Sequence, residues 1–407
     1  MTSNGVRPFA GRRVLLGVSG GIASYKSAWL ARLLVKAGAD VDVVLTPAAT
    51  EFIGAVTFEA LTGRAVHSGL FDAGRALNHI KLARAADVIV IAPATADLLA
   101  RMATGQANDL LTACLLAAEC PVLVVPAMND RMWAHAQTRA NVAHLATLGY
   151  RILPPDDGLL AAGEGSGPGR MPEPETIIAH AGRLLEHDGV LAGRQVLVTA
   201  GPTREALDPV RFLSNHSSGR MGVAIAAAAW RRGADVTLVA GPLSVPVPVG
   251  VAHVAVESTT AMRDAVRAHI GAADVVVMSA APADYQPQQV APGKLKKTGG
   301  ARSIDLMETP DILISTREHR RAGAVVVGFA LETDDLLANA RRKLAAKDLD
   351  MVVLNAANEP GAGFGADTNR VTLVRRGVEE PEELPLLTKC DVADEILDRV
   401  ETLLHGR

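Results

Sequence analysis

The 407 residues carry a net charge of -3 and are 49% hydrophobic, 21% charged and only 3% aromatic. That length calls for two domains, each able to bury its own interior, and it offers neither a basic excess nor the aromatic platforms of a nucleic-acid partner. No uncharged apolar run reaches spanning length and MTSNGVRPFAGRR lacks an apolar centre, so a cytoplasmic chain with no membrane partner is expected. Cys114, Cys120 and Cys390 have no metal-ligand spacing, and their odd number closes no disulfide framework.

Apolar runs alternate with helical segments almost throughout, the pattern of a parallel α/β sheet. The first half predicts a strand over Arg13–Val18, a glycine loop, a helix over Ala23–Lys36 and a strand over Val41–Leu45. A strand over Asp87–Ile91 follows, then helices near Asp97–Met102 and Asp109–Ala118, a strand over Val122–Val125 and a helix over Arg131–Leu148. A loop rich in Gly and Pro spans Pro154 to Pro174, and a further helix ends near His187. Asp188, Gly189 and Gly193 mark a linker, giving domains at 1–188 and 189–407.

The second half restarts the pattern at Arg194. AGADVDVVL (37–45) is echoed by RGADVTLVA (232–240), and ADVIVIAPATAD (86–97) by ADVVVMSAAPAD (273–284). A polar excursion, Tyr285–Arg302, carries Lys294, Lys296 and Lys297 among glycines and reads as a mobile flap.

GVSGGIASYK (17–26) joins the first strand to the first helix, where α/β sheets bind phosphate. It is not GxGxxG, and the next strand ends in Thr46 rather than in a ribose-binding carboxylate. A mononucleotide such as FMN therefore suits it better than a dinucleotide, with Ser19 and Thr46 as hydroxyl partners; a plain turn reads equally well. His79 precedes a strand whose end, Pro93-Ala94-Thr95, opens another strand-to-helix corner, and Asn129 follows the next strand. Both fit one ligand in that crevice, although a surface histidine and a helix cap explain them without one. In the second half, Val196–Ala229 sets Asn215, Ser217, Ser218 and Gly219 between a buried strand and an alanine-rich helix. Free N–H groups and hydroxyls there suit an anion, or a long capping loop.

Taken together, SGGIASYK, NHIKL, APATADLLARMATGQANDLL, PAMNDRMW, GPGRMPEP, TAGPTREALDPVRFLSNHSSGRMG, APADY, APGKLKK and GFALET resemble the bacterial bifunctional phosphopantothenoylcysteine decarboxylase / phosphopantothenate–cysteine ligase family. The likeness runs in order through both halves. It implies an α/β chain of two Rossmann-like domains: a flavodoxin-like flavoprotein of the cysteine decarboxylase type, then a ligase domain with a parallel-rich sheet.

The resemblance also implies roles. FMN is held by Ser19, Gly20, Gly21, Ile22, Ala23, Thr46, Pro93, Ala94 and Thr95. The flavin is the electron sink for loss of CO2, His79 manages proton transfer at the substrate thiol, Asn129 bonds the departing carboxylate, and Gly169, Arg170 and Met171 belong to a substrate clamp. The ligase joins 4'-phosphopantothenate to L-cysteine through an acyl-cytidylate made from CTP, with Mg2+ on the phosphates. CTP is assigned to Ser217, Ser218, Gly219, Ala280, Ala281, Asp284, Lys294, Pro310, Asp311, Ile312, Leu313, Phe329, Lys343 and Lys347. Lys294 stabilises the α-phosphate and Asn215 orients the acyl-cytidylate. Flavin-domain trimers and ligase-domain dimers would close into a homo-oligomeric dodecamer.

One departure stands out. The family carries a cysteine in the clamp where LLAAGEGSGPGRMPEP (159–174) has Ala162, with one extra residue near Gly165. Glu164, a neighbouring protomer or water is then left to donate the last proton. The alternative is a working ligase whose flavin domain is slow or degenerate.

Overall fold

The computed structural model describes residues 7–70, 77–163, 165–297, 299–300, 303–332, 335–356 and 365–406. They fall into two compact units, Met1–Glu186 and His187–Arg407.

The first unit opens with β1 (Arg13–Val18), α1 (Ser24–Lys36), β2 (Asp40–Leu45), α2 (Ala55–Thr62), α3 (Asn78–Ala85) and β3 (Val88–Ala94). Next come α4 (Ala96–Ala103), α5 (Leu110–Leu116), β4 (Val122–Pro126), α6 (Asp130–Ala134), α7 (Ala136–Thr147) and β5 (Arg151–Ile152). A hairpin of β6 (Asp156–Leu159) and β7 (Ser166–Arg170) precedes α8 (Pro174–Glu186). The parallel sheet is ordered β2-β1-β3-β4-β5. Alternate residues of one strand serve opposite cores: Val14 and Leu16 pack with Leu30 and Leu34 of α1, while Leu15 packs with Leu98 and Leu110 of α4 and α5. Helices on both faces explain why the strands are apolar runs rather than alternating ones, each buried Leu or Val contributing about 1.5–3 kcal/mol.

Three expectations change here. The helix expected over Arg131–Leu148 is two helices, because His135 is extended (φ -60°, ψ 133°) and its Nδ1 accepts the Gln137 N–H at 3.2 Å, capping α7. The Gly/Pro loop contains the β6–β7 hairpin. Helix α3 appears where no helix was expected, without a side-chain cap.

The second unit begins β8 (Gln195–Ala200), β9 (Glu205–Ala206), β10 (Phe212–Leu213), α9 (Arg220–Arg231), β11 (Asp235–Ala240), β12 (Ala252–Ala255) and α10 (Thr259–His269). It continues β13 (Val275–Met278), β14 (Tyr285–Pro287), β15 (Leu306–Glu308), α11 (Ile312–Ser315), β16 (Val325–Glu332), α12 (Leu336–Ala346) and β17 (Met351–Ala356). The last elements are β18 (Thr368–Asn369), β19 (Val371–Arg375), β20 (Glu382–Glu383), β21 (Leu387–Thr388) and α13 (Lys389–His405). Its main sheet is ordered β12-β11-β8-β13-β16-β17-β19-β20, parallel from β12 to β17 and antiparallel beyond. Helix α13 is held against α9 by Arg232, 5% exposed, whose guanidinium meets Asp394, Asp398 and Glu401 at 2.8–2.9 Å. The excursion expected over Tyr285–Arg302 starts in β14, which pairs with β15, and its described part forms an arm; residues 298, 301 and 302 lie outside the described residues. No helix among the described residues is long and apolar enough to cross a membrane.

Candidate functional site

In the first unit the strand order reverses between β1 and β3, so a crevice opens beyond their C-terminal ends. The loop Ser19–Ala23 leaves β1 there and starts α1, whose N-cap Ala23 makes no side-chain cap bond. The first N–H groups of that helix therefore lack a side-chain acceptor. Ser19 is 1% exposed; its hydroxyl donates to Pro93 O at 2.8 Å and accepts from Thr95 N at 3.0 Å. The hydroxyl expected to meet a phosphate is thus engaged in joining two strand ends. Thr46 accepts the Ala49 N–H on its own hydroxyl at 3.2 Å. Gly20 lies so close to Ala48 that a Cβ would stand 2.5 Å from its methyl. Gly21 and Ala23 complete this rim, Ile22 is exposed on it, and Ala94 is 0% exposed within the core behind it.

His79, expected just ahead of a strand, is in the first turn of α3. Its Nδ1 is buried with no hydrogen-bond partner among the described residues. Such an orphaned ring nitrogen calls for a partner the protein itself does not supply. Asn129 follows β4 and caps α6, its Oδ1 accepting the Arg131 N–H at 2.9 Å. The cap uses the carbonyl oxygen, and the amide nitrogen retains two protons for another acceptor.

The clamp segment docks beside Asn129. Met128 N donates to Gly169 O at 3.0 Å, and a Cβ on Gly169 would stand 2.2 Å from Met128 O, so only glycine fits. Arg170 pairs with Glu173 at 2.5 Å. Met171 is 1% exposed and belongs to the core, so within the clamp segment its side chain serves as the anchor. Ala162 is exposed at the hairpin tip, and Glu164 lies outside the described residues.

In the second unit a cavity of about 850 Å³ opens at the C-terminal ends of β8 and β13. It gathers Asn215, the Ser217–Gly219 loop and every residue assigned to CTP except Lys294. Gly219 caps α9 at φ +76°, and a Cβ there would meet Leu243 at 2.3 Å. That left-handed turn faces the uncapped start of a 12-residue helix toward the cavity. Asn215 is locked on both sides: its amide donates to Ala281 O, and its Oδ1 accepts the Ser217 N–H at 2.9 Å. Lys343 Nζ donates to Phe329 O at 2.5 Å. Lys347 pairs with Asp311 at 2.6 Å. Burial opposes ionisation of Asp311, yet the Lys347 ammonium, the Ile314 N–H and the Lys343 charge hold its carboxyl below the usual range.

Lys294 stands apart from the other residues assigned to CTP. It is exposed on the arm and does not line the cavity. Its neighbours Leu295 and Lys296 line a separate hollow of about 450 Å³ with Arg211. Conversely, Arg220, Asn355, Asn369 and Lys389 line the main cavity although no sequence argument singled them out. Lys389 is 7% exposed and donates to Ala366 O at 2.6 Å; burial first, then the Arg220 charge, lowers its pKa. Among the described residues no group of three or more His, Cys, Asp or Glu side chains is arranged to hold a metal ion.

Residues 4–185 match the family described as Flavoprotein, and residues 191–404 the DNA/pantothenate metabolism flavoprotein C-terminal domain. The two units with their two crevices thus define a two-domain pantothenate-metabolism flavoprotein. A Vibrio vulnificus relative, coenzyme A biosynthesis bifunctional protein CoaBC, is 45% identical over 403 residues, covering 98% of this chain and 100% of its own. The protein of that name from Mycobacterium tuberculosis is 46% identical over 410 residues, covering 97% of each. A crystal structure of a CoaBC C-terminal domain is 41% identical with a TM-score of 0.46, over 54% of this chain and 100% of that one. The chain belongs to the CoaBC family of bifunctional coenzyme A biosynthesis proteins. It is a bifunctional decarboxylase and ligase of that biosynthesis. The alternative of a degenerate flavin unit gains no support over this reading.

Proposed function

We propose that residues 189–407 join 4'-phosphopantothenate to L-cysteine with CTP, and that residues 1–188 decarboxylate the product, 4'-phosphopantothenoylcysteine, to 4'-phosphopantetheine and CO2 with FMN. The observation that carries this reading is one chain with two unlike strand-end crevices. The first unit carries a glycine loop at its strand ends and, on α3, an orphaned imidazole nitrogen; the crevice of the second is lined by lysines and an uncapped helix start.

The first crevice fits FMN. Gly20, Gly21, Ile22 and Ala23 would hold the phosphate on loop N–H groups and the start of α1, with Thr46 and Pro93–Thr95 flanking it and Ser19 keeping the loop in place. When bound, the flavin supplies the electron sink that makes loss of CO2 feasible. His79 handles the proton at the substrate thiol. Asn129 donates its amide protons to the carboxylate, orienting it without adding a charge that would retain it. Gly169 and Arg170 belong to the clamp over the substrate.

In the second crevice, the carboxylate of phosphopantothenate attacks the α-phosphorus of CTP and pyrophosphate leaves. The cysteine amine then attacks the acyl carbon of the cytidylate, and CMP leaves. The protein's share is charge placement. Lys343 and Lys347 serve the triphosphate, Lys294 reaches the α-phosphate from the arm, and Asn215 orients the acyl group. Mg2+, when bound, would offset the charge of the triphosphate, with the nucleotide rather than a cluster of carboxylates holding it.

The chain works in the cytoplasm as a homo-oligomer, a dodecamer of flavin-unit trimers and ligase-unit dimers. Support for a self-contact comes from Ile22, Tyr25 and Trp29, which are 46–67% exposed along one side of the flavin loop and α1.

The test is an anaerobic incubation of the FMN-loaded chain with phosphopantothenate, cysteine, CTP and Mg2+. Equal yields of pyrophosphate and CO2 are expected. Pyrophosphate without CO2 would leave only the ligase, and neither product would overturn the reading.

A further inference from the structure

Lys26 lies in the first turn of α1 and is 7% exposed. Its Nζ donates to Met171 O at 2.8 Å and to Glu173 Oε1 at 3.1 Å. Both partners sit where the chain leaves the β6–β7 hairpin. A buried ammonium is tolerated only when its donors are taken, and an aliphatic side chain would fill the same space without that demand. The charge is therefore explained by what it grips.

The gripped segment is held at two further points: the Met128 N–H on Gly169 O and the Met171 side chain in the core. Beyond them Gly167 backs onto Asp130 of α6, and the rest of the hairpin is open. Leu159 is 79% exposed, residues 161–163 are exposed, and the register shifts between Asp156 and Asp157. A ribbon with so few buried contacts moves about its base unless the base is fixed. Burial works against the Glu173 carboxylate, and Lys26 is first among the groups that nevertheless keep its pKa low, followed by Arg170.

The other end of the link is the crevice loop. Lys26 N donates to Ala23 O at 3.0 Å, so its backbone closes the turn that starts at the loop while its side chain holds the hairpin base.

We propose that Lys26 is a positioning residue of the decarboxylase, fixing the base of the β6–β7 hairpin to the helix that begins at the flavin loop. The tip then meets the substrate at a set height. This rests on the reading of the hairpin as the substrate clamp.

The test uses the FMN-loaded full chain with Lys26→Met. FMN affinity and pyrophosphate release should change less than about twofold, while KM for 4'-phosphopantothenoylcysteine rises about tenfold with a smaller change in kcat. Trypsin should cut after Arg170 about tenfold faster, read as the mass of fragment 1–170. Lys26→Arg should restore both readouts. Should Lys26→Met fail to fold, Glu173→Gln, which keeps the Met171 carbonyl, should show the same changes in smaller degree. Unchanged cleavage at Arg170 overturns the proposal. So does a KM that returns to normal under saturating FMN, since Lys26 would then serve the flavin rather than the hairpin. If the unaltered chain releases no CO2, the functional reading fails on its own, and cleavage at Arg170 still decides whether Lys26 fixes the hairpin.

Discussion

The Lys347 ammonium lies 2.6 Å from the Asp311 carboxylate, and both line the cavity of the second unit. Two groups assigned to the nucleotide thus neutralise each other before it arrives. The Asp311 carboxyl is held below its usual range, so its contribution to stability is full above the unfolded value of about 4 and is lost as pH falls through the folded one. Both groups are partly exposed, which limits the effect to about 1 kcal/mol or less. Lys347→Met should lose that increment at pH 7, and progressively less as the pH is lowered below about 4, read from urea midpoints across an acid series.

His79→Asn should retain yellow FMN yet lower CO2 release by about 10²–10⁴-fold, the range for loss of a proton-transfer group. Pyrophosphate release should be untouched. Loss of flavin absorbance from the purified variant would instead make His79 a structural support for the crevice.

Lys294→Gln should slow pyrophosphate release by about 10²–10³-fold, the range for a lost charge stabiliser. Asn215→Asp should let acyl-cytidylate build up, visible by rapid-quench chromatography. Normal ligation by the Lys294 variant would remove the arm from the chemistry.

Gly219 and Gly193 both have positive φ, at +76° and +68°, but only at Gly219 would a Cβ strike a neighbour. Gly193→Ala should cost about 1 kcal/mol through backbone strain alone. Gly219→Ala should cost more and weaken CTP binding, because the turn that starts α9 must shift. Equal denaturation midpoints and equal CTP affinity for the two variants would show that the left-handed turn is unimportant to the cavity.

Much of this architecture is legible in the residues. The runs that become β1, β8 and β13 are apolar because both faces are covered, and Gly or Asp marks their ends. Helix α3 was not legible: NHIKLARA is short, carries Lys and Arg, and begins after Leu77, which offers no cap. The break at His135 has no Pro or Gly to announce it. The β6–β7 hairpin is paired by backbone bonds between glycine-rich strands, so no alternation of side chains betrays it. Residues singled out within long motifs gather at the second cavity. Asn369 and Lys389 were missed because a lone polar residue carries no periodic signal, and only the docking of α13 on α9 brings Lys389 there. Lys294 was placed by its motif, whereas its position depends on the posture of an arm.

The Ser19 hydroxyl has a consequence beyond local bonding. One oxygen atom rivets the exits of β1 and β3 together, on top of the backbone ladder that already pairs the two strands. A nucleotide bound there would find that part of the rim already tied, so less of the entropy of arranging it would fall on the encounter. Removing that rivet should therefore blunt affinity without touching any atom of the guest.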